Sequence, residues 1–194
     1  MSFLEWGKEV FNKEICALEA VRDRLDKNFT FAVKAMKSCK GKVVVTGLGK
    51  SGHVGRKISA TLSSLGVPSV FLHSAEAMHG DTGMLQSRDI LIAISNSGKT
   101  AEVVETAKRA KQLGAKVIAM TGDTKSALAL ISDATLDIGV GSEADHLNLA
   151  PTSSSTATIA MGDALAVTIS RAMEFSKNDF NFNHSGGELG KRTK

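Results

Sequence analysis

Five short runs rich in β-branched residues alternate with longer helical segments after Gly41, and this alternation constrains the fold more than any other feature. The runs cover residues 42–46, 69–72, 90–94, 116–120 and 134–138. Helix candidates lie near residues 51–65, 75–80, 99–113 and 125–132, and a last long helix is predicted over residues 153–173. Because parallel strands are joined by crossover helices, the pattern predicts a doubly wound, flavodoxin-like α/β fold with a five-stranded parallel sheet.

The two ends of the chain differ from this central pattern. Residues 1–40 predict two amphipathic helices, with one apolar stripe from Leu4 to Leu25, an interruption at Asn28 and a second stripe beginning at Phe29. Residues 177–194 predict a loop with a glycine-rich finish. We therefore expect an N-terminal helical segment over 1–40 and an α/β domain over 41–194, which together form one globular unit.

Composition excludes several classes of protein. The 194 residues are 42% hydrophobic and contain no apolar run of the roughly 18 residues that a membrane span needs. Glu5 and Glu9 argue against a secretory signal, and Cys16 and Cys39 match no metal-site spacing, so a cytoplasmic protein with free thiols is expected. The net charge of +4 with only 5% aromatic residues favours an anionic metabolite, and we expect neither nucleic acid nor membrane as a partner.

Polar, glycine-rich segments follow the first and third predicted strands, where ligands bind in an open parallel sheet. After the third strand, Ser95, Asn96, Ser97 and Thr100 surround Gly98 just before a helix, and Ser51 opens the helix after the first strand. Hydroxyl groups, free helical N–H groups and the helix dipole together predict a phosphate cradle. The alternative for each serine is simple helix capping.

Nucleotide-binding motifs fit poorly at the same place. A P-loop needs a glycine five residues before Gly49, where this chain has Val44, and the acidic residue of a dinucleotide site is absent after the second strand. Lys50, between glycines at a strand end, is predicted to face the ligand.

Further candidates for the site lie after the second strand and before the last long helix. His73 and His79 follow the second strand and are predicted to hydrogen-bond the substrate, with an adventitious divalent ion at His73 as a weaker prediction. Thr152 and Ser153 form a hydroxyl cluster before the last long helix, and Glu143 lies where a general base would be useful.

These segments, in this order, resemble the sugar isomerase (SIS) superfamily and, within it, the arabinose 5-phosphate isomerases of Kdo synthesis. The motifs that carry the resemblance are residues 45–52 (VTGLGKSG), 73–81 (HSAEAMHGD), 93–98 (AISNSG), 149–153 (LAPTS), 161–166 (MGDALA) and 184–187 (HSGG). Members of that family often continue into paired CBS domains, whereas this sequence stops at Lys194, so a short form is expected.

The resemblance implies interconversion of D-ribulose 5-phosphate and D-arabinose 5-phosphate without an organic cofactor. It places the family's catalytic positions on Lys50, Glu102, Glu143 and His184. It also implies a homotetramer in which the C-terminal histidine reaches a neighbour's site, and inhibition by zinc, expected at His73. The family usually has Glu at the position of Lys99, beside the phosphate turn.

Two questions remain open at the level of sequence. Either Glu143 or His184 moves the carbon-bound proton, while the other assists ring opening. The alternative functions are an isomerase of another phosphosugar, such as a hexulose 6-phosphate or sedoheptulose 7-phosphate, and a phosphosugar-binding module without catalysis.

Overall fold

The five predicted strands form one parallel sheet in the computed structural model, which describes residues 2–184. The strands are β1 (Val43–Gly47), β2 (Ser69–His73), β3 (Ile90–Ile94), β4 (Lys116–Thr121) and β5 (Ala134–Asp137). They pair in the order β2-β1-β3-β4-β5, with every neighbouring pair parallel. This is the flavodoxin-like order, and it confirms the fold class predicted from the sequence.

Eight α-helices accompany the strands within the described residues. They are α1 (Phe3–Asp23), α2 (Lys27–Lys37), α3 (Gly49–Ser64), α4 (Ser74–Ala77), α5 (Ala101–Gln112), α6 (Ala127–Ile131), α7 (Ser153–Ala172) and α8 (Lys177–Asn183), with a 3₁₀ turn over Asp81–Met84. None of them is long and apolar enough to cross a membrane.

The sheet carries a hydrophobic core on each face because its strands are buried on both sides. Val43 and Val45 of β1 belong to the core shared with α2, α3 and α7, whereas Val44 belongs to the core shared with α4, α5 and α6. Helices α3 and α7 pack closely at Gly162, where a Cβ atom would collide with the side chain of Ile58. This close crossing places the start of α7 beside the start of α3.

The N-terminal helices pack on the same face as α7. The break between them lies at residues 24–26 rather than at the expected Asn28, because the carboxylate of Asp26 accepts a 2.8 Å hydrogen bond from the Asn28 amide and caps α2. Arg24, in the break, donates to the carboxylate of Asp137 at 2.9 Å and so fixes the linker to the end of β5.

The prediction of a loop after residue 176 was wrong for residues 177–183, which form α8. Ser176 and Asp179 make a reciprocal capping box at its first turn, with the Ser176 amide donating to Asp179 at 2.8 Å. The expected glycine-rich finish, residues 185–194, lies outside the described residues.

Candidate functional site

A cavity of about 330 Å³ opens where the strand order reverses between β1 and β3. Its walls come from three chain segments that each precede or begin a helix. The lining residues are Leu48, Lys50, Ser51, Val54, Asn96, Ser97, Thr100, Pro151, Ser154, Ser155 and Thr158. The volume falls in the range of roughly 300–1,000 Å³ found for small-molecule sites, and the position is the usual one for this fold.

The turn after β3 is held by its own polar groups. The Ser95 hydroxyl lies 2.9 Å from that of Thr100 and accepts a 3.1 Å hydrogen bond from the Gly98 amide. Gly98 has φ +62°, and a Cβ there would collide with Ser126, so glycine is required. Ser95 is buried and supports the turn from behind, while Asn96, Ser97 and Thr100 line the cavity.

Helices α3 and α5 both begin at this cavity without a side-chain cap. Leu48 and Thr100 occupy their N-cap positions, and neither makes a capping hydrogen bond. The first-turn N–H groups of both helices are therefore available to a ligand, and the exposed Lys50 adds a positive charge. This arrangement suits a phosphate group.

Helix α7 differs from α3 and α5 because a carboxylate of the protein already occupies its N-terminus. Oε2 of Glu143 accepts hydrogen bonds from the Thr152 amide at 2.8 Å and the Ser154 amide at 3.1 Å, while the Ser154 hydroxyl donates to Oε1. Glu143 itself does not line the cavity, whereas Ser154 does. The carboxylate is thus linked to the cavity through Ser154.

The pKa of Glu143 is lowered from its ordinary value. Partial burial raises the pKa, but the hydrogen bonds from Ser154 and Thr152 favour the ionised form and outweigh the desolvation. Glu143 therefore stays a carboxylate at neutral pH.

Thr152 and Ser153 serve the loop and the core in this structure and do not line the cavity. The Thr152 hydroxyl accepts from the Ala144 amide at 2.8 Å and the Asp145 amide at 3.3 Å. The Ser153 side chain is fully buried, and its hydroxyl has no hydrogen-bond partner within residues 2–184. Of the predicted hydroxyl cluster, it is the following serine, Ser154, that faces the cavity.

Neither His73 nor His79, which were predicted to bind the substrate, lines the cavity. His73 ends β2 with its Nδ1 atom buried and without a partner in the described part of the chain, and His79 is exposed on the turn that follows. Within residues 2–184, no three His, Cys, Asp or Glu side chains lie close enough to hold a metal ion. The structure therefore adds no further ligand to the zinc predicted at His73.

Glu102 lies in the first turn of α5 and faces a different groove. That groove, of about 670 Å³, is also lined by Lys99, Glu105 and Lys108. Lys50 and Glu102 therefore line two different cavities of this chain.

His184 lies beside the end of α3, whereas Lys50 lies at the start of that helix. Its Nε2 atom is 2.8 Å from the Ser64 hydroxyl at the end of α3, its Nδ1 atom is 2.8 Å from the Phe180 carbonyl, and its ring stacks on that of Phe180. Lys50 is at the start of the same helix, 14 residues earlier, which corresponds to ~21 Å along the axis. One chain therefore does not bring His184 to its own cavity.

One wall of the cavity was not predicted from the sequence. Pro151, just before α7, is followed at i+3, i+4 and i+7 by Ser154, Ser155 and Thr158, and these three lie on one face of α7. That spacing was a signal visible in the sequence, since it is typical of one helix face. The apolar contributions of Leu48 and Val54 carried no comparable signal.

Comparison with known proteins agrees with this architecture. Residues 36–168 match the SIS domain family, and the chain belongs to that family. It is 47% identical over 192 residues to the arabinose 5-phosphate isomerase KdsD of Pseudomonas aeruginosa, and 47% identical over 190 residues to the KdsD of Escherichia coli K12. These alignments cover 99% and 98% of this chain but 59% and 58% of the relatives, so the chain spans about three-fifths of their length.

Among solved structures, the chain is similar to the c3406 protein of Escherichia coli CFT073, determined in complex with arabinose 5-phosphate. The two share 42% sequence identity with a TM-score of 0.90, and the alignment covers 95% of this chain and 100% of the other. The resemblance to the SIS superfamily seen in the sequence motifs is therefore confirmed.

Proposed function

We propose that this protein is an aldose–ketose isomerase that interconverts D-ribulose 5-phosphate and D-arabinose 5-phosphate through an enediol(ate). The observation that carries the proposal is the combination of two kinds of polar groups around one cavity. Ser97, Thr100 and two uncapped helix starts favour a phosphate, and Ser154, with Glu143 behind it, adds a hydroxyl linked to a carboxylate. The KdsD relatives, which are named as arabinose 5-phosphate isomerases, support the same reaction.

Lys50 in the cavity, Glu143 behind Ser154 and a histidine from a second copy would together match the chemistry that such an isomerisation needs. One proton moves between C1 and C2 and one between the two oxygens, without net oxidation of the substrate. A carboxylate or imidazole can transfer these protons, and the ammonium group of Lys50 can stabilise the developing oxyanion. Because no electrons leave the substrate, we propose that no organic cofactor is required, and that zinc acts only as an inhibitor.

His184 enters this proposal through a neighbouring subunit. In one chain it lies at the far end of α3, so its proposed catalytic role requires a second copy to present it. Exposed apolar side chains on α1 provide a surface for self-association, since Phe3 and Phe11 are 86% and 71% exposed. We propose a homotetramer with sites shared between subunits.

The proposed setting follows from the same assignment. Arabinose 5-phosphate would feed Kdo synthesis for lipopolysaccharide or capsule, and the free thiols of Cys16 and Cys39 suit a reducing cytoplasm.

The test is a direct assay of the purified protein with ribulose 5-phosphate, following arabinose 5-phosphate by NMR. We expect conversion by the wild type and a loss of at least about 100-fold in Lys50→Ala, which removes oxyanion stabilisation. Lys125→Ala is a matched control, because Lys125 is an exposed lysine outside the cavity. Binding of arabinose 5-phosphate without any conversion would instead favour a phosphosugar-binding module.

A second candidate substrate class rests on Lys99. This residue follows the phosphate turn directly, and its amide donates to the Ser97 hydroxyl at 3.2 Å. A lysine at this position adds a positive charge next to the turn proposed to bind phosphate, and this charge changes the electrostatic potential that the substrate meets. Comparing kcat/KM for ribulose 5-phosphate, a hexulose 6-phosphate and sedoheptulose 7-phosphate distinguishes the three substrates.

A further inference from the structure

The Ser154 hydroxyl lies between the partly buried carboxylate of Glu143 and the cavity. It donates to Oε1 of Glu143, and the Ser154 amide donates to Oε2 of the same carboxylate at 3.1 Å. Ser154 is 3% exposed, and the little surface it has belongs to the cavity lining. A ligand at this end of the cavity therefore meets the serine hydroxyl before it meets the carboxylate.

Other contacts hold this hydroxyl in place. Ser154 lies in the first turn of α7, where Thr158, one turn later, donates its own hydroxyl to the Ser154 carbonyl at 2.7 Å. The Thr152 amide donates to Oε2 of Glu143 at 2.8 Å, and this bond fixes the carboxylate to which the Ser154 hydroxyl donates. Because the serine proton points to Glu143, the lone pairs of Oγ remain to accept a hydrogen bond from a substrate hydroxyl.

We propose that Ser154 is a catalytic residue that relays the oxygen-bound proton of the substrate to and from Glu143. The proposal rests on the isomerase function proposed above and adds a residue to it. It also gives Glu143 a defined task, the proton exchange between O1 and O2, which is separate from the transfer of the carbon-bound proton.

The relay balances in protons and electrons. In the ketose-to-aldose direction, the enediolate formed by loss of the C1 proton carries a hydroxyl on O1 and negative charge on O2. Oγ of Ser154 accepts the O1 proton while its own proton passes to Oε1 of Glu143, and the reverse path returns a proton to O2. The electron pair that the departing proton leaves on O1 forms the π bond of the C1 carbonyl, while the electrons of the C1–C2 double bond bind a proton at C2. Glu143 ends ionised, because the proton that it received has passed on to O2.

A purely structural role for Ser154 makes different predictions. If the serine only completes the N-terminus of α7, replacing it lowers stability and leaves turnover per folded enzyme unchanged. If it only binds the sugar, replacing it weakens arabinose 5-phosphate binding as much as it lowers turnover. A relay lowers kcat while leaving binding and KM largely intact.

The experiment compares the wild type, Ser154→Ala, Glu143→Gln and the double variant in the ribulose 5-phosphate assay. We expect Ser154→Ala to lose about 100-fold in kcat, as for general acid–base groups, with a KM and an arabinose 5-phosphate Kd within about threefold of wild type. Because the two residues act as one unit, the double variant loses no more than the less active of the two single variants. Ser170→Ala, a buried serine ~24 Å further along α7, is the matched control.

Three outcomes overturn the relay. They are a Ser154→Ala enzyme with kcat within about threefold of wild type, a loss of product binding that accounts for the loss of kcat, and a double variant whose loss is the product of the two single losses. Failure of the proposed function looks different, since the wild type itself then converts no ribulose 5-phosphate, and the relay falls with it.

Discussion

The separation of Lys50 and His184 leads to a prediction about mixed assemblies. Both residues are proposed to act at one site, yet they lie at opposite ends of α3, which at 16 residues is ~24 Å long. A complete site then needs Lys50 from one chain and His184 from another. Lys50→Ala and His184→Ala should each be nearly inactive alone, and a mixture of the two should regain activity.

The amount of regained activity follows from counting. In a randomly mixed one-to-one assembly, half of the sites lie on the His184→Ala chain and so contain Lys50. Half of these receive a neighbour that retains His184, so about a quarter of wild-type activity returns in a symmetric oligomer that exchanges one histidine per site. If His184 served the cavity of its own chain, no site in the mixture would contain both residues, and no activity would return.

The assay is co-expression of the two variants with different affinity tags, purification of the mixed oligomer and measurement of kcat. Lys50→Ala mixed with Ser97→Ala is the matched control, because both residues line the same cavity of one chain and their mixture should regain nothing. The unfolding temperature and molecular mass of each variant are measured as well, and values equal to those of the wild type exclude misfolding. A mixed oligomer as inactive as its parents would refute the shared site.

The remaining predictions concern stability and the phosphate turn. Asp89, whose side chain is 1% exposed, forms an ion pair with Lys42 at 2.7 Å, so Asp89→Asn should cost about 3 kcal/mol in urea unfolding at pH 7. Burial raises the pKa of Asp89, but the Lys42 hydrogen bonds lower it below its ordinary value, so wild-type stability should fall as pH drops below about 4, and less so in the variant. Gly98→Ala introduces a Cβ against Ser126 at positive φ, and should raise KM for the phosphosugar at least tenfold, whereas unchanged KM would contradict the cradle. Gly162→Ala should lower stability by about 1–3 kcal/mol in thermal unfolding, because the added Cβ collides with Ile58.

Much of the fold could be predicted because the local sequence pattern of each strand agrees with its place in the sheet. The strands are runs such as Val43–Gly47 and Ile90–Ile94, in which every residue is buried, and such runs are typical of a parallel sheet. The missed helix α8 shows the limit of this reasoning. Its residues, KNDFNFN, have weak helix propensity, and its start depends on the capping box of Ser176 and Asp179.

Residues of the candidate site could be predicted only where a glycine- and serine-rich motif directly follows a strand. Lys50, Ser97 and Thr100 follow β1 or β3, and the cavity includes all three. Nothing in the spacing of Thr152 or Ser153 distinguishes a hydroxyl that faces a ligand from one that holds a loop. That distinction depends on how α7 is rotated against α3, which is set by the contact of Gly162 with Ile58 across the two helices.

The three helix starts around the cavity explain how one small site can orient an asymmetric substrate. An open helix N-terminus attracts an anion, and at α3 and α5 the N-terminal amides are left for the phosphate of the ligand. At α7 the same attraction is satisfied by Glu143, so this end repels a second anion and offers hydroxyl groups instead, including that of Ser154. On the proposed function, a phosphosugar binds with its phosphate toward α3 and α5 and its hydroxyl-bearing carbons toward α7. Replacing Glu143 with Gln would remove the repulsion as well as the proton acceptor, so the variant should bind inorganic phosphate at a second site, which titration calorimetry with the wild type and the variant would reveal.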